Sequence, residues 1–310
     1  MKQYEDIAPA SDPDVVKAEV ERVRPEGLLA TQGSLEAIIG TAAELPAVLH
    51  ELGRLREMAF RAVGEGTGKS LDLDEFDQHY LHLFLWDHEA EQIAGAYRIG
   101  RTDVILKEMG PSGLYCSTLF EFEQPFLDHL TPGMELGRSF LALDYQRSLG
   151  GLLALWKGLA TYVSKNPRYG KLFGPVSISN DYTQLSQNLM VKFLREKRRE
   201  DALAPYVHPF HPVELSQSEF GDISARLESI DEVSARISDV EPDGKGVPIL
   251  LKQYLKLNAT LLEFNVDPEF ENCLDALVLI DLHRTSDKVL GRYMGKAALA
   301  VFRAWAAVRG

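Results

Sequence analysis

The densest chemistry in this chain sits at a strand-to-helix turn. In ELGRSFLALDYQRSLGGLLALWKGLATYV, residues 135–163, an apolar strand runs into Asp144, Tyr145, Gln146 and Arg147, then Gly150 and Gly151, then a helix. Glycines at such a turn let the backbone approach a ligand closely. A helix start offers free N–H groups and a positive dipole end to an anion, and Arg147 adds a charge. A phosphate or pyrophosphate fits this turn, and so does an ordinary turn before a helix. Upstream lie LREMAF (residues 55–60), ending in Phe60, then LDLDEFD (71–77) with Asp74 and Asp77, then AGAYRIG (94–100) around Arg98. Glu135 and Arg138 are three apart within a strand-like segment. On a regular strand they face opposite sides, unless a bulge at Gly137 turns one of them. Singly, each stretch has a plainer reading. Acidic loop residues are usually solvated, and a mid-strand arginine serves equally as a structural ion-pair partner.

Three other patterns carry less than they suggest. GEGTGKS, residues 64–70, looks like a nucleotide-binding P-loop, but only three residues separate Gly64 from the Gly68-Lys69 pair where a P-loop has four. It also follows a helix rather than a strand, so a functional loop fits it better than an ATP site. His79 and His82 would point to opposite faces of a strand start, and no third ligand accompanies them, so no metal is expected. Cys116 and Cys273 stand far apart outside any CxxC pattern and read as buried free thiols.

The elements that must position these residues follow from periodicity. A strand is predicted at 35–40. A helix is predicted at 45–63, with apolar residues at helical spacing from Leu45 through Leu52 to Ala59. Strands at 80–87 and 92–100 flank the acidic turn HEAEQ as a hairpin. A strand at 114–120, the Gly137-interrupted strand at 134–143, a helix at 152–163, a strand at 171–179 and a helix at 182–199 come next. Residues 200–245 turn rich in Pro, Ser and acid and read as an insertion or lid with one amphipathic helix at 229–237. A helix at 247–257, strands at 260–266 and 276–282, and terminal helices over 288–308 complete the chain. Residues 1–30 are expected to be a flexible N-terminal arm with a short helix over Asp14 to Val23. Residues 31–310 are expected to be one domain with an insertion at about 200–258. The order is that of an α/β or α+β fold, with helices on both faces of a sheet.

Composition narrows the function. Of 310 residues, 45% are hydrophobic, which suffices for a substantial core. No run of about 18 apolar residues occurs, so no membrane-spanning helix is expected, and the acidic, polar first residues are unlike a secretory signal. Lys and Arg number 33 against 46 Asp and Glu, a net charge of −13. That argues against nucleic-acid binding and means that an acidic partner or an anionic membrane must meet a local basic patch. The densest such patch is VKFLREKRRE, with Lys192, Arg195, Lys197, Arg198 and Arg199. Lys192, Arg195 and Arg199 share a helix face, at a helix C-terminus where cations are favoured anyway.

Taken in order, LR…F, D-x-D-x-F-D, G-x-Y-R, E-L-G-R-S, then Y-x-R and L-W-x-G-x-A resemble the GNAT-fold acyltransferase family that includes ornithine-lipid and glycine-lipid N-acyltransferases. The set is similar, more distantly, to acyl-homoserine-lactone synthases and N-acyl amino acid synthases. The resemblance covers residues 35–200 and, more loosely, 247–270. It implies a GNAT-like mixed central sheet, a splayed strand pair at 134–143 and 171–179, and a helical insertion before the last two strands. It implies transfer of a long acyl group from an acyl carrier protein or CoA thioester to a small amine such as an amino acid. The setting would be bacterial lipid synthesis in the cytoplasm or on the inner face of the membrane. No resident cofactor is implied. Glu135 is then the first candidate for general base and Asp77 the second, while Tyr182 would protonate the leaving thiolate. Arg98 and Arg138 would hold the acceptor's carboxylate or structure the Asp74/Asp77 loop, with Phe60 on the substrate side. The backbone of Phe140, Leu141 and Ala142 would bind the pantetheine arm and the thioester oxygen. Arg147, Gly150 and Gly151 would meet the donor's phosphate. Lys192, Arg195, Arg198 and Arg199 would dock the carrier protein. Some relatives are fused to a glycerolipid-type acyltransferase, so a separate or fused partner of that kind is also implied. Arg138-Ser139-Phe140-Leu141 stands where Arg-Ser-Cys-Val is expected, and QRSLGG is shorter than the pyrophosphate loop of acetyl-CoA-dependent relatives. The short loop suits a carrier arm with one phosphate. An O-acyltransferase or lactone-forming signal synthase, or a non-catalytic acyl-carrier or lipid-binding module, are the alternatives.

Overall fold

The structure, a computed structural model, describes residues 4–146, 149–214, 227–270 and 272–309. In chain order its first elements are α1 (Pro13–Gly27), β1 (Leu28–Gln32), β2 (Leu35–Thr41), α2 (Pro46–Arg61), β3 (Leu81–Asp87), β4 (Gln92–Arg101), α3 (Thr102–Glu108), β5 (Phe120–Phe122) and α4 (Gln124–Leu130). There follow β6 (Met134–Leu141), α5 (Leu149–Lys165), β7 (Lys171–Ile178), α6 (Gln184–Lys197), β8 (Val207–Pro209), α7 (Ile230–Val240), α8 (Ile249–Lys256), β9 (Thr260–Asp267), β10 (Cys273–Asp281) and α9 (Asp287–Arg309). Where one domain was expected over 31–310, contacts divide the chain into two compact units. The first comprises Met1–Leu114, Pro132–Gly170 and Ser286–Gly310, the second Tyr115–Thr131 and Lys171–Thr285.

In the first unit β1, β2, β3, β4 and β6 form an antiparallel sheet in that order. Nearly every residue of β3 and β4 is buried, which requires cover on both faces. Alternation of side chains assigns the two covers. Ile38, Phe84, Trp86, Ala96 and Phe140 face α1 and α2, joining Val16, Val20, Val48 and Leu52 in one apolar core. Ala37 and Leu83, on the other face, lie under α5, where Gly158 permits close approach: a Cβ there would stand 2.6 Å from that of Ala37. Tyr97 meets Trp156 of α5 edge to face, and Trp156 in turn meets Tyr293 of α9.

Residues 1–30 are not a loose arm. Asp12 caps α1 by accepting from the Asp14 N–H at 2.9 Å, and Pro13 occupies the first turn. The charged surface of α1 conceals a buried Val16/Val20 pair. Glu19 completes the docking. Its carboxylate accepts from the N–H groups of Ala47 and Val48, each at 2.9 Å, at the start of α2. That helix has no side-chain cap of its own. β1 then pairs with β2. Where a strand was expected at 114–120, a 3-10 turn, Tyr115–Thr118, occupies most of the span and only its last residue, Phe120, enters β5.

The second unit holds an antiparallel sheet ordered β7, β10, β9, with β5 and β8 paired separately. The insertion belongs to this unit. Residues 215–226 within it lie outside the described residues, and its described part contributes β8, α7 and α8.

Candidate active site

Strand register brings the motif residues of the first unit together. Gly40, His82, Arg98 and Gly137 are successive partners across β2, β3, β4 and β6. Two residues along, on the same face, Gly100 pairs with Glu135. The ring of Tyr80 fills the space that Gly100 leaves open, since a Cβ there would lie 2.5 Å from it. Above this floor α2 lowers Arg56, and the 72–77 loop supplies three aspartates.

That loop is a capped turn. Asp74 accepts from the Phe76 N–H at 3.0 Å while Asp77 accepts from the Asp74 N–H at 3.0 Å, so each end of a single 3-10 turn binds the other. Asp77 also takes a hydrogen bond from Arg56 Nη1 at 2.7 Å and lies 3.2 Å from Arg98 Nη1. Arg98 pairs with Asp74 as well. Arg138 Nε is 3.1 Å from Asp72, and its Nη2 is 3.4 Å from Asp74. Three guanidinium groups thus face three aspartates, and Arg56 and Arg98 are wholly buried. Buried charge is tolerated only with such pairing. Burial would raise the Asp77 carboxyl, but Arg56 and Arg98 outweigh it and hold the group well below the usual carboxylate range. Burial, and then the Arg56 cation beside it, push His82 down to about 4. Its ring is therefore neutral. Nε2–H donates to the Asp77 carbonyl at 2.9 Å, which leaves Nδ1 to accept from Arg56 Nη2 at 3.5 Å.

Glu135 lies beside this network. It is 1% exposed, and the Tyr80 hydroxyl donates to its Oε2. The Tyr80 ring lies under the Arg98 guanidinium, 5.2 Å from carbon to centroid, so the same side chain touches both the cationic network and the carboxylate. The strand β6 carries the bulge that was left open in the sequence. Register shifts between Ala96 and Arg98 of its partner, and Arg138 adopts a left-handed φ of 49°. The arginine so turned reaches Asp72 and Asp74.

The other expected site residues divide. Phe60, partly buried, packs edge-on against Phe140 of the apolar core, 6.4 Å between centroids. The Ala142 N–H donates to the Ala94 carbonyl at 3.0 Å. It is spent in the sheet and not open to a thioester oxygen. Leu141 is half-buried, and its carbonyl accepts from the Gln146 side chain at 3.1 Å. Gly150 lies in the first turn of α5. Gly151 lets that turn close on Leu141, whose side chain would be 2.9 Å from an added Cβ. Arg147 lies outside the described residues.

In the second unit the Tyr182 hydroxyl donates to the Gly246 carbonyl at 2.7 Å. Its proton is thereby engaged. Arg195 is tied to Glu263 at 2.9 Å and to the Val213 carbonyl at 3.2 Å, and Lys192 stands 3.8 Å from Glu196. Only Arg198 and Arg199 of that basic set have no side-chain partner among the described residues, so the set does not form one open face.

Four residues of the network were not singled out from sequence: Arg56, Asp72, Tyr80 and His82 as a histidine held by arginine. Arg56 did leave a signal. It falls at i+4 from Leu52 and i−3 from Ala59, a charge inside an apolar helical stripe. The GEGTGKS loop finds its anion within the chain, for Glu57 accepts from the N–H groups of Thr67 at 3.0 Å and Gly68 at 2.8 Å.

Residues 55–157 match the acetyltransferase (GNAT) domain family, a span that runs from α2 into α5 and encloses every member of the charged network. Fold and site define a GNAT-like acyltransferase. The chain is 31% identical over 280 residues to the glycine N(alpha)-acyltransferase of Bacteroides thetaiotaomicron, covering 86% of this chain and 82% of that one. It is equally identical to the glycine N(alpha)-acyltransferase of Phocaeicola vulgatus over 83% of this chain and 82% of that one. Identity is 28% over 247 residues to the L-ornithine N(alpha)-acyltransferase of Rhodobacter capsulatus, covering 76% and 86%. The chain belongs to this family of amino-acid N-acyltransferases. Among solved structures, the acyl-homoserine lactone synthase BjaI aligns over 86% of this chain and 97% of that one, with 12% identity and a TM-score of 0.39.

Proposed function

We propose that this acyltransferase moves a long-chain acyl group from a thioester donor, acyl carrier protein or CoA, to the α-amine of glycine or a similarly small amino acid, with Glu135 as general base. One observation carries the assignment. The Tyr80 hydroxyl donates to buried Glu135, while the other candidate base, Asp77, is bound by Arg56 and Arg98. A base must be able to take up a proton, and the arginine pair around Asp77 keeps that carboxylate ionised. In this reading the amine nitrogen attacks the thioester carbonyl carbon and Glu135 accepts the amine proton. The carbon–sulfur bond breaks as the amide forms, and the thiolate leaves and is protonated.

The arginines then have two tasks. Arg56 and Arg98 set the floor and the loop. Arg138, 11% exposed at its side chain, has surface left to meet an acceptor carboxylate in the planar two-point manner suited to a guanidinium. The start of α5, with Gly150 and Gly151, is the candidate for the donor's phosphate. Arg198 and Arg199 are the candidates for steering an acidic carrier to a chain of net charge −13. The relatives' names support glycine or ornithine as acceptor and favour amide over ester chemistry. An N-acyl amino acid would be a lipid, or the precursor of one completed by a separate or fused glycerolipid-type acyltransferase. Mass spectrometry of lipids from cells overproducing the protein tests this: N-acylated glycine or another N-acyl amino acid should accumulate. Accumulation of an ester or lactone alone, or no new lipid, would overturn it.

A further inference from the structure

The helix α9 departs from the rest of the chain in charge. It carries Lys288, Arg292, Lys296, Arg303 and Arg309 against one acid, Asp287, which pairs with Arg303 at 2.8 Å, in a chain with 46 Asp and Glu and a net charge of −13. Lys288, Arg292 and Lys296 are exposed. Gly295, at φ 74°, breaks α9, so that residues 296–309 form a second helical segment about 20 Å long at 1.5 Å per residue. This segment has two apolar sides. One is anchored: Phe302 is fully buried. The other is open: Val301 is 58% and Val308 86% exposed, and with exposed Ala297 and Ala304 they stand at i, i+4, i+7 and i+11, a single stripe along the helix.

We propose that this face of α9 seats the protein on an anionic lipid bilayer surface. Cations beside an apolar stripe, on a helix too short and too polar to span, are the arrangement of an interfacial helix. The valines would enter the boundary between headgroups and acyl chains while the long Lys and Arg stems carry their charges to lipid phosphates. Charge decides between occupants. A second copy of the chain would set two basic helices against each other, whereas an anionic surface answers the cations and the valines together. Nothing in this proposal depends on the acceptor or the donor of the reaction.

Co-sedimentation of the intact protein with phosphatidylcholine vesicles, with and without phosphatidylglycerol, is the test. Binding should require phosphatidylglycerol and weaken as salt is raised. Each cation removed by Lys288→Gln or Lys296→Gln should weaken it about fivefold. Val301→Glu, an exposed change, should abolish it with an unchanged melting temperature. Equal binding to both vesicle types, or binding indifferent to all three variants, would overturn the proposal. So would a wild-type dimer that Val301→Glu converts to monomer without any vesicle binding, or binding of the helix to an acidic carrier protein in place of vesicles.

Discussion

His82 should make the folded protein lose stability as pH falls below about 6.5, before most carboxylates begin to titrate. An unfolded histidine titrates near 6.5, whereas His82 in the fold sits at about 4 because it is buried beside Arg56. As pH falls the unfolded chain binds the proton first. The contribution of His82 to stability is therefore whole above about pH 6.5 and drains away down to about pH 4. At pH 5 the unfolded imidazole is about 30-fold more protonated than neutral, and the folded one about 10-fold more neutral than protonated. That ratio corresponds to about 2 kcal/mol. His82→Gln keeps an N–H that can reach the Asp77 carbonyl and removes the titration. Urea unfolding at pH 7.5 and pH 5, followed by tryptophan fluorescence, should show wild type losing about 2 kcal/mol more than His82→Gln between the two conditions. Acidic groups common to both proteins cancel in the difference. Equal losses would refute the placement of His82 as a buried neutral ring against a guanidinium.

Other consequences can be checked singly. Asp77→Asn leaves Arg56 and Arg98 short of their shared carboxylate and should cost about 3–5 kcal/mol in calorimetry; a change near zero would mean that these charges are solvated. Tyr80→Phe removes the hydroxyl that orients Glu135 and should lower kcat about tenfold with KM nearly unchanged, from about 1.5 kcal/mol for a hydrogen bond to a charged group. A rise in KM at constant kcat would instead place Tyr80 in binding. Gly100→Ala puts a methyl 2.5 Å from the Tyr80 ring and should destabilise by about 1–3 kcal/mol through overpacking while also lowering kcat, and a neutral substitution would show that the ring has room to move.

Much of this arrangement was legible because local pattern and tertiary role agree. The β3–β4 hairpin, α2 and the first strand announced themselves by periodicity, and the β6 bulge was visible as a question posed by Gly137. A short helix at 14–23 was legible, but its docking was not, because the buried pair of α1, Val16 and Val20, is outnumbered by charge and proline on its solvent side. Asp77 and Arg195 show the opposite limit. From sequence one is a free acid and the other a free cation, yet each finds partners far away in sequence: Arg56 and Arg98 for the first, Glu263 for the second. Tyr80 stands just before β3, and only the strand register that brings Gly100 opposite Glu135 shows what its hydroxyl can touch.

Amide formation by the purified protein, measured by mass spectrometry with glycine and a long-chain acyl thioester on either CoA or acyl carrier protein, bears most directly on Glu135. Wild type should form the N-acylglycine. Glu135→Gln should form it at least about 100-fold more slowly, the scale of a lost general base, with the same melting temperature and with the Tyr80 contact retained by the amide. Amide formation by Glu135→Gln at the wild-type rate would contradict the assignment of this residue as the base.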